Sequence, residues 1–433
     1  MKNNFQVILI SVFAFFILLG IASFALYKAK DSTNTNVNLT AWGTIDVVSF
    51  ENFLSKMRID LSKDVKIKYV QKNILTIDAE LVEAIASGIG PDIVLLPQNL
   101  LVRYSDKVYP IPATSLPERL FKDTFVQEAE IYLTADGAIG LPFFIDPLVM
   151  YWNRDMFADV GVASPPTKWL EFPDLASKMS KVDNNANIIQ SAVSLGGYKN
   201  INNAKAIISS IIMQAGSPII ATGSNGEVSS YLDSRSSVDT KSIEIPAYSA
   251  LRFYTDYSNP KKSVYSWNNA LPSSKQMFLS GDLAVYFGKA SEISDIKEKN
   301  PNLNFDVAML PQILDSKNKI TFGDIYGFLI LKSSPNIVPA FNAISTLVGA
   351  DTVPVFLGFN NFAPARRDLI ARGVSDSAKS VFYNSALISR SWLDPNSSKT
   401  DIIFQDMIDN ITTGRERLEG AVQKASEELN NLL

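Results

Sequence analysis

Five short segments of the chain combine an aromatic side chain with amide or carboxylate groups. They are Trp42-Gly43-Thr44-Ile45-Asp46, Leu96-Pro97-Gln98-Asn99, Phe144-Ile145-Asp146-Pro147, Tyr265-Ser266-Trp267-Asn268-Asn269 and Gly323-Asp324-Ile325-Tyr326-Gly327. An aromatic face can stack on the apolar face of a sugar ring, while Asp, Asn and Gln can hydrogen-bond to hydroxyl groups. A pocket with a few polar groups among aromatic side chains is the usual arrangement for binding a small molecule.

Each segment also has an interpretation in which it serves the fold alone. Trp42 and Trp267 can be core packing, and Asn268 can belong to a turn. Asp46 can be a helix cap, and Asp324 can be a cap or a turn residue. The prediction of a binding pocket therefore rests on the five segments together and not on any one of them.

Paired carboxylates offer a catalytic alternative. Glycoside hydrolysis needs an acid together with a base or nucleophile, about 5 to 9.5 Å apart. Asp46, Asp146 and Asp324 are the candidates, and the sequence does not give their separation. A surface glycoside hydrolase thus remains an alternative to a binding protein.

Asp146 and Pro147 interrupt an apolar run that otherwise predicts a buried strand from Phe143 to Trp152. A carboxylate is costly to bury in such a run, and proline cannot donate to a sheet. The pattern predicts a strand that leaves one lobe, crosses an open cleft at Asp146-Pro147 and enters another lobe. The alternative is a surface Asp-Pro turn between two ordinary strands.

The composition excludes several classes of function. The 433 residues include no Cys and no His, which removes disulfides, Cys- or His-ligated metals, and catalysis by Cys or His. The formal charge of −4 and the scattered Lys and Arg argue against a nucleic-acid partner. The segment Gly88-Ile89-Gly90 leads into a strand and not a helix, so no phosphate-binding loop is expected. We expect no cofactor.

Residues 7–27 form an apolar run without a charged residue, about long enough to cross a bilayer as a helix. We expect an uncleaved membrane anchor here, with a cleaved signal peptide as the alternative. Residues 28–38 are polar and are expected to form a linker. The remaining chain is expected to lie outside the cytoplasm, held by this single membrane pass.

The order of predicted elements after the linker favours an α/β lobe. Strands are predicted at Leu39–Gly43, Val65–Val70 and Ile93–Leu96, alternating with helices at Val47–Leu61 and Asp78–Ser87. The third strand is apolar on both faces, as in a covered parallel sheet. Later signals predict a helix that Asn153 caps, a helix that ends at Gly281, buried strands at Leu283–Phe287 and within Phe322–Leu331, and a final helix within Arg415–Leu433.

Several segments resemble those of bacterial extracellular solute-binding proteins of the ABC-transporter type, in the sugar-binding group that includes maltose-binding protein. The similar segments are Leu39 to Asp46, Ala86 to Leu96, Gly140 to Phe172, Met277 to Gly288, Phe322 to Leu331 and Phe362 to Asp368. The similarity covers about residues 39 to 433. Pro173 departs from the usual helical run of this family.

The resemblance implies a two-lobed periplasmic-binding-protein-like fold of type II, with solute held between the lobes and hinge crossings near 143–147, 323–328 and 358–362. One lobe would hold 39–144 and 328–358, and the other 147–322 and 362–433. The cleft positions carried over from the family are Trp42, Thr44, Asp46, Gln98, Asp146, Trp267, Asn268, Phe287 and Tyr326.

The resemblance further implies a monomeric, non-enzymatic solute-binding component of an ABC importer. This component would bind a carbohydrate and dock on permease subunits. Family members that are lipoproteins are anchored through a modified cysteine. This chain has none, so residues 7–27 would take that role. A ligand sensor that uses the same fold without a transporter is a third alternative.

Overall fold

The computed structural model describes residues 37–57, 65–185, 187–223, 226–234, 245–314, 316 and 319–433. The predicted anchor at 7–27 and nearly all of the predicted linker at 28–38 lie outside these ranges. Within the described ranges, no helix combines the length and the apolar character needed to cross a bilayer.

The strands of the described residues confirm the predicted β segments, each to within a few residues. They are β1 Val37–Gly43, β2 Val65–Gln71, β3 Ile93–Pro97, β4 Leu133–Thr134, β5 Gly137–Ala138, β6 Leu141–Asn153, β7 Lys181–Val182, β8 Ile188–Val193, β9 Ile220–Thr222, β10 Val228–Ser230, β11 Leu283–Lys289, β12 Phe305–Met309, β13 Thr321–Ile330, β14 Ala363–Pro364 and β15 Ser389–Arg390.

The α-helices fall between and after these strands. They are α1 Val47–Met57, α2 Ile77–Ala86, α3 Leu101–Tyr104, α4 Glu118–Thr124, α5 Arg154–Asp159, α6 Phe172–Met179, α7 Ala204–Gln214, α8 Pro246–Asp256, α9 Ser274–Ser280, α10 Ile293–Lys299, α11 Ile337–Leu347, α12 Val353–Leu357, α13 Arg367–Arg372, α14 Ser377–Leu387, α15 Ser397–Thr413 and α16 Leu418–Asn430. Short 3₁₀ helices lie at Gln98–Leu100, Gln127–Tyr132, Trp169–Glu171 and Ala290–Glu292.

Local signals explain where several helices begin and end. The Asn153 side chain accepts hydrogen bonds from the backbone N–H groups of Asp155 and Met156, so it caps α5 as predicted. Gly281 ends α9 in the left-handed conformation, at φ 86°. Pro173 lies in the first turn of α6, the only part of a helix that does not need its missing N–H.

A mixed sheet joins most of the described strands. Its path runs β2-β1-β3-β13-β6-β11-β8-β7, with β12 and β14 added along β6 and β15 along β13. The half with β1, β2 and β3, whose strands are parallel, is called the first lobe here. The half with β7, β8, β11 and β12 is called the second lobe.

Strand β6 runs through both lobes and is buried along its whole length. On the first-lobe side, Asp146 and Pro147 pair with Asp324 and Gly323 of β13. From Leu148 onward β6 pairs with β11, and from Val149 onward also with β12. Pro147, which has no N–H to donate, lies where the pairing partners change. Strand β6 therefore changes its pairing partners at Asp146-Pro147, where the sequence predicted a passage between lobes.

Two short strands near the C-terminal part of the chain join opposite lobes. Ala363–Pro364 pairs with Ile145 and Phe144, in the first-lobe part of β6. Ser389–Arg390 pairs with the second-lobe end of β13. The residue bounds given above for each lobe remain predictions.

Aromatic side chains form much of the core of each lobe. In the first lobe, the rings of Phe143 and Phe356 lie 4.5 Å apart, and Phe50 stacks on Tyr69 at 4.0 Å. In the second lobe, Tyr286 stacks near Phe278, with ring centroids 5.6 Å apart. Such rings bury large areas and prefer offset or edge contacts, so they contribute strongly to the packing of both halves of the sheet.

Candidate functional site

A cavity of about 360 Å³ lies where the first lobe, the strand β13 and the second lobe meet. The first lobe contributes Gln98 and Asn99 at the carboxyl end of β3. Strand β13 contributes Phe322 and Asp324, and the second lobe supplies the remaining wall. Clefts of this size between lobes are common small-molecule sites. The second-lobe residues of the wall are Tyr198, Lys199, Ile201, Asn203, Ala204, Lys205, Ala206, Lys289, Trp392, Asp394, Ser397, Asp401 and Gln405.

Gln98 links the first lobe to the crossing strand. Its side chain is 2% exposed, and its Nε2 donates to Asp324 Oδ1 at 2.8 Å. The other carboxylate oxygen of Asp324 forms an ion pair with the Lys289 ammonium of β11. The Oε1 atom of Gln98 is buried with no hydrogen-bond partner. A buried amide oxygen without a donor is costly, so a water molecule or a bound ligand that donates to this atom would be favoured.

Burial lowers the pKa of Lys289, and the nearby carboxylates of Asp146 and Glu292 oppose that change. Desolvation disfavours an ammonium, while neighbouring negative charge favours it. The positive charge of Lys289 is thus stabilised by its carboxylate partners. Because Asp146 lies in β6 and Asp324 in β13, these contacts connect the second lobe to both strands.

Lys205 is the centre of a second polar cluster, on helix α7. Its ammonium donates to Asp394 Oδ2 at 2.9 Å, to Thr400 Oγ1 at 3.0 Å and to the backbone carbonyl of Ser397 at 3.1 Å. An ammonium has three hydrogens, so these acceptors occupy all of them. Asp394 is 5% exposed. The cluster holds the loop before α15 against α7 and shapes one side of the cavity.

Three aromatic residues border the same space. The Tyr198 hydroxyl donates to Asp401 at 2.7 Å, and burial is the main cause of its raised pKa. The Trp392 ring stacks on Phe404 with centroids 5.9 Å apart, and its indole N–H donates to Ser209 at 3.1 Å. Phe322 completes the set. Rings held in this way offer firm apolar faces beside the polar groups.

Of the residues predicted as cleft positions, Gln98 lines the cavity. The Tyr326 ring stacks on Phe144 at 4.7 Å, and the Thr44 side chain lies near the Tyr326 hydroxyl. Burial raises the pKa of Tyr326. Both residues are half-buried on the first-lobe side. Thr44 follows the carboxyl end of β1, at the same sheet edge as Gln98.

The remaining residues of the first segment serve local structure. Trp42 is half-buried, with the Lys72 ammonium 3.8 Å from its ring centroid. Asp46 is exposed and accepts from the backbone N–H of Ser49 at 2.9 Å, at the start of α1. This is the capping arrangement that the sequence left open for Asp46. Neither residue lines the cavity.

Asp146 is 7% exposed and does not face an open cleft. Its two oxygens accept from the backbone N–H of Ser291 at 2.9 Å and from the Ser291 hydroxyl at 2.6 Å. Burial raises the pKa of Asp146, while Lys289 and the Ser291 bonds oppose this change. Ser291 follows β11, so a second-lobe turn covers the carboxylate that the sequence predicted to be open to solvent.

Trp267, Asn268 and Phe287 pack within the second lobe. Trp267 is 0% exposed and donates its indole N–H to Asn200 at 3.0 Å. Phe287 is also fully buried, with its ring 5.4 Å from that of Trp169. The Asn268 Oδ1 accepts from the backbone N–H of Ala270, as in a turn. A ligand role for these three residues stays a prediction.

The second-lobe residues of the cavity were not found from the sequence. Lys205 is the one with a local signal, because it is a charged residue in a helix whose other residues from Ala204 to Gln214 are buried. Its partner Asp394 lies 189 positions later in the chain. No spacing rule connects residues so far apart.

The described residues contain no group of three His, Cys, Asp or Glu side chains placed to hold a metal ion. The three carboxylates considered for hydrolysis are each engaged within the protein: Asp46 by a helix end, Asp146 by Ser291, and Asp324 by Gln98 and Lys289.

Comparison with known proteins adds a family match. Residues 61–352 match the family described as bacterial extracellular solute-binding protein. Curated proteins that resemble the chain are putative binding proteins of Brucella abortus and Brucella suis, each 22% identical over 292 residues. That alignment covers 67% of this chain and 66% of each relative, so the chain spans just under two thirds of their length.

Solved structures share the fold at low sequence identity. A cyclo/maltodextrin-binding protein in complex with maltotetraose matches with a TM-score of 0.73 and 16% identity, over 91% of this chain and 96% of that one. An ABC-transporter solute-binding protein from Thermotoga lettingae with α-D-tagatose gives 0.66 and 18%, covering 91% and 99%. A Thermus thermophilus maltotriose-binding protein gives 0.65 and 16%, with the same coverage. These matches establish the two-lobed α/β fold.

Proposed function

The chain belongs to the bacterial extracellular solute-binding protein family, and from this premise we propose that it captures an uncharged sugar between its two lobes. The observation that carries the proposal is Gln98. This first-lobe residue has a buried amide oxygen with no partner, in the wall of a cavity completed by the second lobe. A sugar hydroxyl in the cavity supplies the missing donor and connects the two lobes.

The charges around the cavity favour an uncharged solute. Each lysine of its described wall already has a carboxylate partner, so an anionic ligand would have to compete with that carboxylate. A buried charge without a partner is strongly unfavourable. The pairs are Lys199 with Asp409, Lys205 with Asp394, and Lys289 with Asp324.

The mixture of groups suits a carbohydrate. Amide groups of Gln98 and Asn99 can exchange hydrogen bonds with hydroxyls, and Phe322 and Trp392 provide apolar surface for a ring. The solute-binding proteins that share the fold include ones bound to maltotetraose, tagatose and maltotriose. We carry the carbohydrate class, and not a particular sugar, over to this chain.

The mechanism is binding and closure. A solute that contacts both lobes stabilises the closed form, which then docks on the permease subunits of an ABC importer. Moving a pair of lobes from mostly open to mostly closed takes roughly 5 kcal/mol of preference for the closed form. A few buried hydrogen bonds and ring contacts have this magnitude. Residues 7–27 anchor the monomeric protein, with its body outside the cytoplasm.

A thermal-shift screen of the full chain tests this proposal. A ligand that binds only the folded form raises the melting temperature. The panel contains neutral mono- and oligosaccharides, each beside its uronic-acid and amino-sugar counterparts. We expect neutral members to raise the melting temperature and the charged counterparts to have little effect. Chromatography of the incubated sugars separates binding from hydrolysis: unchanged sugars support the binding protein, and products support an enzyme. A larger rise in melting temperature with the uronic acids or amino sugars than with the neutral sugars would contradict the proposed ligand class.

A further inference from the structure

A first-lobe carboxylate is held by the second lobe beside the cavity wall. Glu128, in the 3₁₀ helix Gln127–Tyr132, is 5% exposed. Its Oε2 accepts from the backbone N–H of Ser391 at 2.9 Å, and its Oε1 accepts from the Ser391 hydroxyl. The adjacent Gln127 side chain accepts from the guanidinium of Arg390. Both contacts join the two lobes.

Ser391 is connected directly to the candidate sugar cavity. The preceding residue, Arg390, pairs with Phe322, and the following residue, Trp392, lines the cavity. Trp392 also borders a second cavity of about 490 Å³, whose wall contains Glu128. Separation of the lobes at this point would therefore expose Glu128 to water. It would also remove contacts that position the cavity residues Phe322 and Trp392.

The surroundings of Glu128 include several titratable or charged groups. Arg390 faces it from the second lobe, and Glu130 and Tyr132 lie on its own helix. Burial lowers the pKa of Arg390, and the positive charge of Arg367 in α13 lowers it further, while Glu128 and Glu130 oppose this change. Burial raises the pKa of Glu128 to about 7, although the Ser391 bonds and Arg390 oppose this change. Desolvation is therefore the dominant influence on this carboxyl group.

The contact can persist in both protonation states. When Glu128 is ionised, the N–H and the hydroxyl of Ser391 both donate to it. When Glu128 is protonated, its O–H can donate to the Ser391 hydroxyl oxygen, while the Ser391 N–H still donates to the other carboxyl oxygen. Protonation thus removes the buried charge and retains two hydrogen bonds.

We propose that Glu128 and Ser391 form an interlobe latch that takes up a proton and favours the closed form as the pH falls. The inference rests on the proposed closure of the lobes around a solute. In the open form water surrounds Glu128, and its pKa returns to the ordinary range of a carboxyl group. The closed form then binds the proton more tightly, so acid shifts the equilibrium toward it. One proton changes the closed-to-open ratio by at most about tenfold per pH unit.

Pulsed electron paramagnetic resonance measures the distance between two spin labels. On the full chain it can test the latch without knowledge of the natural solute. The chain contains no cysteine, so Glu83→Cys and Ile189→Cys together provide the only two sites for spin labels. Glu83 is exposed on α2 of the first lobe, and Ile189 is 54% exposed on β8 of the second. We expect the closed-to-open ratio to rise about tenfold from pH 8 to pH 6, because one proton is taken up across this interval.

Two substitutions in the labelled chain provide the controls. Glu128→Gln imitates the protonated carboxyl group, so it should hold the closed-to-open ratio near its acid value at both pH values. Glu130→Gln changes a half-buried carboxylate of the same helix and should leave the response intact. A pH response retained by Glu128→Gln, or absent from the unsubstituted chain, overturns the latch. Sugar capture, measured at one fixed pH, would stand after either result.

Discussion

Gln98 makes one hydrogen bond to the protein through its Nε2 and leaves its Oε1 without a partner. The cavity lysines, in contrast, are all engaged with carboxylates. At the scale of single residues, the site is therefore short of hydrogen-bond donors and has no spare positive charge in its described wall. This combination favours a hydroxyl-bearing, uncharged ligand over an anion.

Gln98→Ala should weaken binding of the sugar found by thermal shift. The substitution removes the ligand contact and one donor to Asp324, a loss of about 1–3 kcal/mol, or roughly fivefold to 150-fold in Kd. Titration calorimetry measures this change. Gln423→Ala, at an exposed position of α16, is the matched control and should bind as the unsubstituted chain does. Equal affinity of Gln98→Ala and the control would remove Gln98 from the site.

Lys205 and Asp394 should behave as a coupled pair in stability. Lys205→Met leaves the buried Asp394 carboxylate without its cation, which typically costs about 3–5 kcal/mol of unfolding free energy. Asp394→Asn added to Lys205→Met removes the stranded charge and should recover part of that loss. Urea unfolding of the two single variants and the double variant measures the coupling. Strictly additive losses would show that the pair is not coupled.

The sequence identified single residues where a local pattern exists. Gln98 follows a buried strand, and this position at the carboxyl edge of the sheet is visible in the order of residues. Trp267 belongs to a segment with the same kind of composition, and Phe287 was carried over from the family resemblance, yet both are fully buried in the second lobe. A pattern of aromatic and amide residues does not reveal which side of a strand or turn faces the cavity. That depends on packing between distant parts of the chain.

At the scale of elements, β6 and β13 determine where the lobes meet. The sequence predicted the crossing at Asp146-Pro147 because a carboxylate and a proline interrupt an apolar strand. It did not reveal that Ser291 covers Asp146, since the turn that carries Ser291 lies 145 positions away. The helices and strands that the sequence predicted were those with caps, glycines or periodicity, which are local signals.

Gly323→Ala should disturb this crossing. A Cβ at position 323 would lie 2.8 Å from Ser389 Cβ and 3.1 Å from Ile145 Cγ2, so β15 would have to move away from β13. Overpacking of this kind typically costs about 1–3 kcal/mol. Gly420→Ala, in helix α16, meets nothing within 4 Å and should stabilise the protein by up to about 1 kcal/mol. Denaturant unfolding compares the two; equal effects would show that the close approach at Gly323 is unimportant.

At the scale of the whole molecule, two lobes share a sheet through β6 and β13 and enclose a cavity where they meet. We propose that ligand contacts with both lobes bias the molecule toward the closed form and that the interlobe latch adds a dependence on pH. The two-lobed arrangement followed from the resemblance seen in the sequence. The residues that form the far wall of the cavity did not, because the second lobe assembles them from segments between Tyr198 and Gln405.

The most direct test of the central claim is a crystal structure of the protein with the sugar that raises its melting temperature most. The sugar should lie between the lobes, with one hydroxyl donating to Gln98 Oε1 and a ring face against Phe322 or Trp392. A sugar bound outside this cavity, or bound to one lobe alone with Gln98 Oε1 still unpaired, would contradict the account.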